Sequence, residues 1–239
     1  MDTYFKKRNI LNKKWKKKRS IFDFIDHWPV YVGKKNLARY IYILDLISKT
    51  NHIKGDICEF GSYKGANVFF ISKILDILFP KNKKKVFSFE SFKGMDGTSI
   101  RDNIPDSKKH SNPKLIYSVN YVSEESEFKD FLKLYKLKRI KLIKGFIEKT
   151  IPLFLRKKRK FSFLYHDIHF YLPTKLVLKH FHPLLSVGGY ICFDEWGMRG
   201  GEGETKAVNE FLKKNKKKYK IINPNVCEQP SLVLKKIRA

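Results

Sequence analysis

The chain has 239 residues, 42% hydrophobic and 15% aromatic, which suits one folded α/β domain with a sizeable core and excludes global disorder. Its formal charge is +28, and the ordinary inference from such a value is a polyanion partner, nucleic acid or an anionic membrane. Yet lysine far outnumbers arginine, the better specific reader, of which there are only nine; with abundant Ile and Asn this suits A/T-rich coding, and we read most of the charge as background with weak polyanion attraction.

Residues 1–20 carry nine Lys/Arg and read as a basic arm. We divide the chain into an arm, 1–26, and one domain, 27–239. His27, Pro29, Lys34 and Lys35 interrupt the stretch where a signal core would sit, and no run of 18 apolar residues occurs. This predicts no transmembrane helix and a cytoplasmic protein. Leu37, Tyr40, Ile41, Leu44 and Ile47 recur at helical spacing over residues 34–50. A short strand follows, Asp56–Phe60, then a glycine turn and an apolar helix over about residues 66–79. Lys81–Lys85 reads as a solvated charge run, and Val86–Glu90 as a second strand. The polar stretch 93–121 is long for a plain connection and reads as a substrate loop or lid.

Residues 123–136 read as helical, with Ser123 as N-cap and Glu124 and Glu125 in the first turn. Ile140–Gly145 is a third strand, and the fourth ends at Asp167. Pro173 suits the first turn of a helix reaching about Leu185. The fifth strand ends at Asp194, and a helix over about 204–215 follows. Strands near 219–222 and 232–236, with Pro224, Asn225 and Pro230 between them, predict an antiparallel pair. Alternating strands and helices mean a doubly wound α/β fold whose parallel sheet is covered on both faces. Cys58, Cys192 and Cys227 are odd in number and widely spaced, so they read as small residues of a reducing compartment.

The chemistry concentrates at strand ends. Asp167 ends one strand, and Asp194-Glu195 ends the next, 27 residues on. A parallel sheet sets such ends side by side on its carboxyl edge, where open α/β folds bind ligands. Three converging carboxylates repel one another, and a hard divalent cation with oxygen ligands removes that repulsion. Upstream, Gly55-Asp-Ile-Cys-Glu59-Phe-Gly61-Ser62-Tyr-Lys-Gly65 is a strand, a glycine turn and a helix start, yet neither a G-x-G-x-x-G fingerprint nor a Walker loop. Glu90 ends the second strand, where an acid can accept both hydroxyls of a ribose.

Five segments in order, Gly55–Gly65, Phe89–Met95, Asp167–Lys175, Gly188–Trp196 and Gly203–Phe211, resemble the macrocin O-methyltransferase family over roughly residues 27–236. The resemblance implies a seven-stranded class I fold, bound S-adenosylmethionine, a magnesium ion (Mg2+), methylation of sugar hydroxyls, and self-association. By it, Glu59, Gly61 and Gly65 line the methionine and ribose side, Glu90 holds the ribose, and Asp167, Asp194 and Glu195 bind the metal. Ser62, Ser91 and Gly145, at the same turn and the neighbouring strand ends, complete the cofactor-binding set. The family usually has Asp where His169 and Glu90 stand, and Asp-Asp where Asp194-Glu195 stands.

Methyl transfer is in-line attack of an oxygen on a sulfonium methyl, so alignment supplies most of the acceleration. A sugar hydroxyl has a high pKa; a chelated metal lowers it, and a base removes the proton. Candidate bases are Asp167, His169 and His166, the last on the opposite side of its strand from Asp167. The expected partner is a small-molecule or glycan acceptor, with no specific nucleic acid. The rival readings are a catechol-like or RNA-ribose acceptor, and a non-catalytic basic nucleic-acid-binding protein.

Overall fold

The structure, a computed structural model, describes residues 10, 13, 21–94 and 121–239. Residues 1–20 of the basic arm, except 10 and 13, and residues 95–120 of the polar stretch therefore fall outside the described residues. The strands are β1 Asp56–Phe60, β2 Val86–Glu90, β3 Ile140–Lys144, β4 Phe161–His166, β5 Leu185–Phe193, β6 Tyr219–Ile222 and β7 Leu232–Lys236. They form one seven-stranded sheet in the order β3-β2-β1-β4-β5-β7-β6. Strands β1 to β5 pair in parallel, and β7 runs antiparallel to both β5 and β6. Every residue of β2 and β4 is buried, which is why these strands read as unbroken apolar runs rather than alternating ones.

Helices α1 Ile21–Asp26 and α2 Trp28–Tyr31 come first; then come α3 Lys34–Thr50, α4 Ala66–Leu78, α5 Glu125–Leu134, α6 Ile147–Phe154, α7 Tyr171–Phe181 and α8 Glu202–Asn215. Two apolar layers cover the sheet. One packs Ile151, Phe154, Leu178, Phe181 and Val208 from α6, α7 and α8. The other packs Ile43, Leu46 and Ile47 of α3 with Val68, Ile71 and Leu75 of α4. Among the described residues, no helix is long and apolar enough to cross a membrane.

Three local features differ from the sequence reading. The sequence reading assigns no element between Gly145 and the fourth strand, where the structure has helix α6; Pro152 lies inside it and removes a backbone donor, and the buried Ile147, Ile151 and Phe154 hold it against the core. Ser123 does not cap α5: Glu124 is the cap residue, and the Ser123 hydroxyl instead donates to Tyr63 O at 3.1 Å. Lys84 is buried rather than solvated, its ammonium donating to Ile53 O, to Gly55 O at 2.7 Å and to Ser162 Oγ at 3.1 Å.

The chain turns outward from β1 to β2 and β3 on one side, and from β4 to β5 on the other. The crevice between the carboxyl ends of β1 and β4 is therefore the topological switch point. Gly61 makes the exit from β1 possible. At φ +83° it passes so close to Asp167 that an added Cβ would lie 1.9 Å from the Asp167 carbonyl oxygen. Its neighbour Phe60 accepts the Asp167 N–H at 3.0 Å, which locks the two strand ends in register.

Candidate functional site

A cavity of about 700 Å³ opens at the switch point. One half lies over β1, β2 and β3. Glu90 is fixed at its rim: Oε1 accepts the Phe92 N–H at 2.8 Å and Oε2 the Tyr63 N–H at 2.5 Å. Burial raises its pKa, and these bonds to the charged form oppose the rise. Gly61, Ser91 and Gly145 also line this half, beside Phe146 and Ile147.

Glu59, Ser62 and Gly65 are not among the residues lining the cavity. Glu59 Oε1 accepts from Asn67 Nδ2 at 2.8 Å, Oε2 is buried with no hydrogen-bond partner among the described residues, and burial pushes the carboxyl up to about 8. The Ser62 hydroxyl accepts from Ser88 at 2.8 Å, and Gly65, at φ +85°, caps α4 with its N–H on Ser62 O.

The other half holds the acids. Asp167 follows β4, and its carboxylate accepts no hydrogen bond from any described residue. Burial, with the Glu204 and Glu90 charges, pushes it up to about 7 against the pull of Arg39. His169 sits between two carboxylates: Nε2 is 3.8 Å from Asp167 Oδ1, and Nδ1 contacts Glu195 Oε2. Burial holds the imidazole down at about 4, in its neutral form. Donor atoms of Asp167, His169 and Glu195 all lie within 4.8 Å of one another, an arrangement able to hold a metal ion.

Asp194 lines the same cavity but is engaged elsewhere. Arg39 Nη2 donates to both its oxygens, at 2.8 and 2.6 Å. Gln229 Nε2 donates to Oδ2 at 2.8 Å, and the Tyr165 hydroxyl to Oδ1. Of the three strand-end acids, the structure thus brings Asp167 and Glu195 together around His169, and places Asp194 on Arg39. His166 faces away from the cavity. Its Nδ1 lies 2.8 Å from Glu204 Oε2 on α8, while Glu204 Oε1 accepts the Glu195 N–H at 3.1 Å. This buried pair braces the turn that carries Glu195.

Sequence reasoning missed Arg39 and Gln229, which reach Asp194 across 155 and 35 residues. A signal existed for Arg39: in so lysine-rich a chain, an arginine beside the apolar stripe of a helix marks a place where the guanidinium geometry matters. Tyr121 was missed too; its ring lies 5.8 Å from that of His169, at the cavity wall.

A family model described as Macrocin-O-methyltransferase (TylF) matches residues 7–226. Among solved structures, the chain is similar to CalS11, a calicheamicin methyltransferase, with 18% identity over 99% of this chain and 93% of that one, at a TM-score of 0.81. It is similar to the O-methyltransferase NovP, with 20% identity over 84% and 80%, at a TM-score of 0.66. An O-methyltransferase from Bacillus cereus, solved in complex with SAH, matches with 10% identity over 95% and 96%, at a TM-score of 0.54. At such identities these likenesses show the fold. No curated protein matches the sequence.

Proposed function

The chain belongs to the macrocin O-methyltransferase family, an S-adenosylmethionine-dependent one, and from that premise we propose that it methylates a hydroxyl of a sugar or glycan precursor with the help of a divalent metal. One observation carries this reading: a single cavity joins the fixed carboxylate of Glu90 to the Asp167–His169–Glu195 cluster. The first is built to hold a ribose, the second to handle a hydroxyl, and the strand ends between them set the alignment that methyl transfer needs.

On the cofactor side, Glu90 has lone pairs left for the ribose hydroxyls, and Phe146 and Ile147 offer an apolar slot for the adenine ring. Glu59 acts from behind the wall, through Asn67 and the turn that carries Gly61, Ser62 and Gly65. On the acceptor side, the cluster fits a divalent cation, since two carboxylates and an imidazole converge. Asp167, His169 and Glu195 would hold it; the resemblance implies Mg2+. When bound, such an ion lowers the pKa of an acceptor hydroxyl and offsets the carboxylate charge. We assign Asp167 as the group that receives the proton, because its carboxylate is free of hydrogen bonds from the described residues. His169, whose Nε2 lies 3.8 Å from Asp167 Oδ1, is the second candidate for that role.

The experiment is label transfer. Purified protein with methyl-labelled S-adenosylmethionine is expected to label nucleotide-sugar or glycan fractions from cells lacking the gene. Label entering only catechols or RNA would redirect the assignment. Glu90→Ala is expected to weaken S-adenosylmethionine binding by roughly 1–3 kcal/mol, the cost of leaving buried polar groups unpartnered. Unchanged affinity in calorimetry would sink the ribose role.

The basic arm is read as separate from this chemistry. Deleting residues 1–20 is expected to leave methyl transfer unchanged while removing much of any retention on DNA. That retention should itself collapse between low and physiological salt, because phosphate neutralisation drives it. Tight, sequence-selective binding that persists at physiological salt would favour a nucleic-acid role instead.

A further inference from the structure

We propose that the Asp167–His169–Glu195 set selects a first-row transition ion, of the Mn2+, Fe2+, Co2+ or Zn2+ kind, over Mg2+. The inference rests on the metal reading above and concerns which ion these side chains choose.

Two substitutions of roles lead to it. The first removes an oxygen donor. Both Asp194 oxygens already accept from Arg39, at 2.8 and 2.6 Å, and each has a further donor, Tyr165 on Oδ1 and Gln229 on Oδ2. A metal drawing on Asp194 must displace a guanidinium whose side chain is only 20% exposed and leave that charge without its partner. Asp194 therefore stays with Arg39.

The second substitution supplies a nitrogen donor. His169 takes a left-handed backbone, φ +64°, a conformation that residues with a side chain rarely adopt. That backbone sets the ring between Asp167 Oδ1 and Glu195 Oε2. The donor set is then two carboxylates and one neutral imidazole in place of three carboxylates. Mg2+ demands oxygen ligands in near-ideal octahedral geometry and gives up water reluctantly. Losing one negative ligand weakens its hold, and an imidazole does not compensate. Fe2+, Co2+ and Zn2+ accept imidazole nitrogen readily and bind mixed N/O sets more tightly, and Mn2+, which stands lowest in that order of affinity and shares the Mg2+ preference for carboxylate, is the most stringent member to test.

Mn2+ alone is the probe, with the full-length protein and no acceptor. Electron paramagnetic resonance should show the free-ion signal lost on titration, and spin-echo modulation should show nitrogen coupled to the bound ion. Mg2+ should need an excess of roughly ten-fold or more to displace half of the Mn2+. His169→Asp should abolish the nitrogen coupling and let Mg2+ compete at near-equal concentration. Unchanged S-adenosylmethionine affinity by calorimetry verifies that the variant is folded. Mn2+ binding without nitrogen coupling, or displacement by equimolar Mg2+ in the wild type, overturns the selectivity and leaves the metal reading intact. Absence of Mn2+ binding overturns both.

Discussion

Asp167→Ala is expected to lower methyl transfer by about a thousand-fold, the scale of losing a positioned proton acceptor, while S-adenosylmethionine binds as before. The two halves of the cavity explain the split. Glu90 and the Gly61 turn belong to β1 and β2, whereas Asp167 belongs to the acceptor half with His169 and Glu195. Asp167→Asn keeps the shape but removes the charge, so it should fall as far as the alanine variant. The wild type in excess chelator is expected to fall likewise, with a divalent cation restoring transfer. Methyl transfer by Asp167→Ala within an order of magnitude of wild type would take Asp167 out of the chemistry. Full turnover in excess chelator would mean that the acids serve another purpose.

Arg39→Ala should destabilise the fold by about 3 kcal/mol, because it strands a buried carboxylate. Asp194 is 3% exposed at its side chain, and its pKa, already pushed up to about 7 by burial and by Asp167, is held back by Arg39. Tyr165 and Gln229 still donate to it after the substitution, but neither brings a positive charge. The second variant, Arg39→Ala with Asp194→Asn, removes the stranded charge and should recover most of the loss. Urea midpoints at constant m-value measure both. If the single variant keeps the wild-type midpoint, the pair is not coupled as the geometry implies, and Arg39 does not hold Asp194 away from the cluster.

The fold was legible because its central strands are buried and all seven are bounded by turn residues. Val86–Glu90 and Tyr219–Ile222 stand out as short β-forming runs, and the acids that end β2, β4 and β5 mark the carboxyl edge. Helix α6 was left unassigned: it is only eight residues long, carries Pro152 inside it, and is held by the core contacts of Ile151 and Phe154, which lie in the tertiary structure and not in the local sequence. Within the site, the chain order shows which acids reach the edge but not which way each carboxylate turns. That choice is made by partners far along the chain: Arg39 and Gln229 for Asp194, Asn67 for Glu59, Glu204 for His166. The left-handed backbone of His169 is equally silent in the sequence, because such a conformation announces itself only where glycine occupies it.

The position of β7 bears on how the protein is made. β7 is the last of the seven strands to leave the ribosome, yet it stands between β5 and β6. Until it emerges, Tyr190, Ile191, Cys192 and Phe193 of β5 lack their ladder partners on that side, and β6 has no neighbour to join. From the completion of β5 to the arrival of β7, about forty residues later, the nascent chain therefore carries an open apolar edge, the kind of surface that invites pairing with another chain. Gln229, in the segment leading into β7, reaches Asp194 only as that strand docks. Sealing the sheet and completing the hydrogen bonds of the site are one late event, so a ribosome stalled before residue 232 holds a chain with neither.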